Sequence, residues 1–182
     1  MKSGNKKKWK RELELYQRKV QQSEDRFIST RKQLVREASG SFLYPNVKRL
    51  TLELQWEFYH FCNCFPMIQW TIETVDDEIN SFSPPNELHN TAKPVWHLRN
   101  LMHHEALPTV SFVTQGNNYY TLLYRQDLRS LSTDTQSEFN RKFGSMFTKT
   151  KNGNKQYAKL QPFVESYTAK AVAACEDSTK QL

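Results

Sequence analysis

The sequence predicts an α+β fold: a long N-terminal heptad-patterned helix, two antiparallel β-hairpins at about 50–75 and 109–125, and C-terminal helices. A mostly α-helical fold is the alternative. Three observations carry this reading. Apolar residues near the N-terminus repeat with a helical period. Two later segments alternate apolar and polar residues, and a Gly-Asn-Asn turn is flanked by β-forming residues.

The first helix is expected over 6–38, since no Gly or Pro occurs between Asn5 and Gly40. Trp9, Leu13, Tyr16, Val20, Ser23, Phe27, Thr30 and Leu34 recur at alternating steps of four and three, a heptad seam with two small polar members. Gly40 is the expected stop. The chain therefore divides into a basic amphipathic helix at 1–40 and an α+β unit at 41–182, together one compact body.

Residues 50–58 alternate strictly. Leu50, Leu52, Leu54, Trp56 and Phe58 share one parity, and stepping 100° per residue splits them into two opposed sectors, so a strand is expected. Ile68, Trp70 and Ile72 alternate again, and Asn63-Cys64-Phe65-Pro66 supplies a turn between the two strands. Pro84, Pro85 and Pro94 mark a loop, and Pro94 opens a helix over 94–106. Strands at 109–115 and 119–125 flank Gly116-Asn117-Asn118. Phe139, Phe143 and Phe147 predict a helix over 134–148, and a last helix covers about 155–175 with a break near Pro162. Residues 176–182 are expected to fray.

Composition narrows the function classes. The chain has 182 residues, is 13% aromatic and 25% charged, and carries a formal net charge of +7. That many aromatics require a core, which excludes a disordered chain. No apolar run reaches the ~20 residues a membrane span needs. Three Cys are too few for a disulfide scaffold, and the Lys-rich start leads into no apolar signal region, so a cytoplasmic protein is expected, nuclear if eukaryotic. There is no Walker loop, no Gly-x-Gly-x-x-Gly and no Gly-x-Ser-x-Gly, and no cofactor is expected.

The charge is uneven. Residues 1–50 hold 14 basic and 5 acidic side chains, and residues 51–100 hold 2 basic and 7 acidic. Lys6, Lys7, Lys8, Lys10 and Arg11 surround Trp9, and Arg18 and Lys19 follow. Lys and Arg neutralise phosphates, and an exposed aromatic stacks on bases. A second basic stretch runs through Arg141, Lys142, Lys149, Lys151, Lys155 and Lys159, and the two could converge on one groove. The expected function is therefore non-catalytic nucleic-acid binding through Lys6, Lys7, Lys8, Lys10, Arg11, Arg18, Lys19, Lys149, Lys151 and Lys155.

Two alternatives are set beside it. One is a protein-interaction module or homodimer pairing through the Trp9–Leu34 seam. The other is a nuclease-like enzyme using His103, His104 or the acidic Asp76-Asp77-Glu78 turn. His60, Cys62 and Cys64 would project to one side of a strand, but they lack a fourth ligand and the usual zinc spacing.

Overall fold

The computed structural model describes residues 3–40, 44–79, 81–85, 95, 98–99, 110–115, 118–124, 137, 148–149 and 156–182. Three long helices dominate them: α1 (Ser3–Ser39), α2 (Tyr44–Glu78) and α3 (Leu160–Gln181). Four strands complete the fold: β1 (Val110–Gln115), β2 (Asn118–Tyr124), β3 (Thr148–Lys149) and β4 (Gln156–Lys159). They form one antiparallel sheet in the order β1-β2-β4-β3.

α1 follows its heptad. Trp9, Leu13, Val20, Ser23, Phe27 and Leu34 are buried, while Tyr16 and Thr30 are half-buried. Its end is at the expected place, where the Gly40 N–H donates to the Arg36 carbonyl at 3.0 Å. α2 then returns beside it. Asn46 reaches Glu37 near the connection, Phe27 meets Phe58 midway, and Trp9 meets Glu78 at the far end. The two helices form an antiparallel helical hairpin. α3 lies antiparallel to α1, with Gln17 donating to Glu176 at 3.2 Å. Phe163 and Tyr167 of α3 meet Phe58 and Phe65 of α2 edge-on. One continuous core joins all three helices. Each fully buried Phe or Leu in it contributes about 1.5–3 kcal/mol.

The expected hairpin at 50–75 is not present, because that whole stretch lies within α2. Leu50, Leu54, Phe58, Phe61, Phe65, Ile68, Ile72 and Val75 are buried and spaced 4, 4, 3, 4, 3, 4 and 3. This is a helical face. The alternation arose because Leu52 and Trp56, on the opposite face, are apolar as well. The presumed turn at Asn63–Pro66 is mid-helix, with Pro66 accommodated inside it.

The hairpin at 109–125 is present. β1 and β2 pair from Val110–Leu123 to Gln115–Asn118. β4 replaces the expected start of the last helix, because Leu122, Leu123 and Tyr124 pair with Lys159, Ala158 and Tyr157. α3 begins at Leu160, so Pro162 falls in its first turn, where a missing N–H costs nothing. It marks a start and not a break. The expected fraying after 175 does not occur either: α3 runs to Gln181, and Ser178 is buried. Thr148 lies in β3, so the helix expected over 134–148 does not reach its predicted end, although Ser137 is helical. Val95, Leu98 and Arg99 are helical, as expected for 94–106. The rest of both segments lies outside the described residues.

The sheet sits near the C-terminal half of α1. Arg31 donates from its guanidinium to the Tyr119 carbonyl of β2 at 2.9 Å. Phe112 and Tyr119 stack across the β1–β2 pair at 5.9 Å.

Candidate nucleic-acid interface

Packing of the heptad seam fixes which side of α1 faces outward. Lys7, Lys8, Lys10, Arg11, Arg18, Lys19, Arg26, Lys32 and Arg36 are all exposed, and Lys6 is half-buried. Lys7, Arg11, Arg18, Lys32 and Arg36 lie within about 60° of one another around the helix, opposite the seam. Arg11 and Arg18 are roughly 10 Å apart along the axis at 1.5 Å per residue. Exposed Asp25 falls on the same face and interrupts the row.

Several of these cations are held in place. Arg18 Nε donates to the Glu14 carbonyl at 3.2 Å. The Lys8 ammonium lies 4.2 Å from the centre of the Trp9 ring, and the Lys19 ammonium 5.1 Å from that of Tyr16. Such contacts cost the cations none of their charge and restrict their rotamers.

Trp9 is not a stacking platform for a base. It is 3% exposed, and its indole N–H donates to Glu78 at 2.8 Å. The same contact sets the basic start of α1 beside Asp76, Asp77 and Glu78, the exposed last turn of α2.

Among the described residues the two basic stretches are not brought together. Lys159 ends β4 and caps α3, so it belongs to the sheet end of the bundle, near Arg31. Its ammonium lies 4.8 Å from the centre of the Tyr120 ring. The Lys6–Arg11 cluster stands at the opposite end, roughly 30 Å away along α1. Lys149 is in β3, paired with Gln156. Arg141, Lys142, Lys151 and Lys155 lie outside the described residues.

The remaining clusters also change with the fold. On a helix His60, Cys62 and Cys64 no longer share a side: His60 is exposed, Cys62 is buried and Cys64 is half-buried. Ser23 and Cys64 are in hydrogen-bonding contact at 3.6 Å. Burial pushes both thiols up, Cys62 well above its ordinary value. Among the described residues no three His, Cys, Asp or Glu side chains gather as a metal site. His97, His103, His104 and Glu105 lie outside those residues. Among them, too, no helix is long and apolar enough to cross a membrane.

Sequence reasoning missed one surface feature. Leu52, Trp56, Met67 and Trp70 are large apolar side chains, each at least 42% exposed, all on α2. The signal was present in the two opposed sectors of 50–58, of which only one could be core.

Among the described residues the architecture is three long helices packed together with an antiparallel sheet at one end. The chain matches no known family model, no curated protein and no solved structure.

Proposed function

We propose that the protein binds nucleic acid without catalysis, contacting backbone phosphates through the outward face of α1. The observation behind this reading is the set of exposed cations Lys7, Lys8, Lys10, Arg11 and Arg18 on one well-packed helix. A packed helix presents charges at fixed spacing, so little ordering entropy opposes the contact. Lys6 and Lys19 flank the set. Lys149, Lys151 and Lys155 belong to the same proposal as a second phosphate contact.

A duplex suits this face better than a single strand. Single-strand binding relies on aromatic platforms, and Trp9 is packed inward. Leu15 is the large apolar side chain exposed on α1. Contacts to phosphates alone carry no direct sequence readout, so binding is expected to be insensitive to sequence.

The Trp9–Leu34 seam favours no second reading, since it is spent on packing within the chain. Pairing through it would require opening the bundle.

Fluorescence anisotropy on a labelled duplex tests the proposal. Replacing Lys7, Arg11 and Arg18 by Gln should weaken binding by a similar factor for every sequence and flatten its salt dependence by about three contacts' worth. Unchanged affinity in that triple variant would remove the α1 face from the proposal.

A further inference from the structure

Exposed apolar side chains are ordinary when scattered, but those of α2 are not scattered. Leu52, Trp56, Met67 and Trp70 are 50%, 51%, 42% and 55% exposed. At 100° per residue they fall within about 60° of one another, opposite the core-facing row. Trp56 meets half-buried Tyr59 edge-on at 5.9 Å and His60 at 6.4 Å, forming a surface aromatic cluster. Between this cluster and Met67, Asn63 accepts a hydrogen bond from Arg99 Nε at 2.9 Å. The stripe is thus two patches: Leu52 with Trp56 and His60, then Met67 with Trp70.

Charge marks the two ends of the stripe. Lys48 and Arg49 precede it, Glu73 and Asp77 follow it, and all four are exposed. At 100° per residue Lys48, Glu73 and Asp77 lie along one edge of the apolar sector and Arg49 along the other. Arg49 also pairs with Glu53 one turn on, an exposed contact of little energetic weight. The face therefore reads basic, apolar, acidic along its length, with Arg99 on Asn63 at its middle.

We infer that this face docks a second copy of the chain, α2 against α2, antiparallel about a two-fold axis near Asn63. A two-fold interface must be self-complementary, and this sequence of charges is so only when the helices run in opposite directions. The two-fold axis sets each edge of the face against the same edge of the partner, so Lys48 of each copy then meets Glu73 and Asp77 of the other. The Leu52–Trp56 patch of each meets the Met67–Trp70 patch of the other. Helix dipoles also oppose in this arrangement. A parallel pairing would set like charges together at both ends. The α1 face stays outward in either case, so this inference stands or falls independently of nucleic-acid binding.

The test is light scattering or sedimentation equilibrium on the full chain, up to about 200 μM in low salt. A reversible dimer is expected. Trp56→Glu and Trp70→Glu each raise its Kd at least about tenfold with helical circular dichroism unchanged. Lys48→Asp and Asp77→Lys each weaken the dimer, and combining them restores it, because antiparallel pairing matches the swapped ends. This charge exchange reads the same interface should a tryptophan variant fail to fold. A strict monomer over the whole range overturns the inference, as does a dimer indifferent to Trp56→Glu and to the charge exchange.

Discussion

The Trp9 indole N–H donates to the Glu78 carboxylate at 2.8 Å, joining the start of α1 to the end of α2 across 69 residues of chain. The ring is buried while the carboxylate is largely exposed. The first residue of the heptad seam is thus a clasp of the helical hairpin. Trp9→Phe keeps most of the buried ring and loses the donor, so it should cost about 1 kcal/mol in urea denaturation. Trp9→Ala empties the site and should cost about 3–5 kcal/mol.

Phe27 and Phe58 meet at 6.2 Å in the middle of the bundle, both fully buried. Phe27→Ala is expected to destabilise by about 3–5 kcal/mol. Ser29, exposed on the same helix, should tolerate Ala within about 0.5 kcal/mol. Equal losses at the two positions would contradict the packing of α1 described above.

Burial, with Asp25 and Glu165 nearby, pushes the Glu24 carboxyl up from its ordinary 4.5. The folded chain therefore holds this proton to higher pH than the unfolded chain does. Stability from this group is fullest below the unfolded value and declines as pH rises through the raised one. Glu24→Gln removes that decline, so its melting temperature should exceed that of wild type at neutral pH and converge with it in acid. Thermal melts at pH 4 to 8 read this directly.

Burial, with Glu176 adding to it, pushes the Cys175 thiol up to about 12, and burial also raises Cys62 well above its ordinary value. Thiolates are the reactive species. At pH 8 an alkylating reagent should therefore modify half-buried Cys64 first, and Cys62 and Cys175 only after unfolding. Mass spectrometry of native and denatured samples would show the order.

α1 was legible because its seam is one-sided: Trp9, Leu13, Val20, Phe27 and Leu34 are apolar and the opposite face is charged. β1 and β2 were legible because their turn and their partner are local. α2 was misread for the reason that makes it interesting. Leu52 and Trp56 put apolar groups on its solvent side, and the sum of two helical faces imitated a strand. β4 was invisible because its pairing with β2 joins residues more than thirty apart. As for the candidate site, the sequence located the cations of α1 and their exposed side. Its place at the head of the heptad already pointed Trp9 inward, but the sequence could not show that Lys159 stands at the opposite end of the bundle, since that follows from how the helices and strands pack.

Salt dependence of duplex binding tests the role of the α1 face most directly. With Lys7, Lys8, Lys10, Arg11 and Arg18 each on a phosphate, affinity should fall roughly 500-fold between about 50 and 200 mM salt. Absence of binding at the lower salt, or an affinity that does not change with salt, would contradict it.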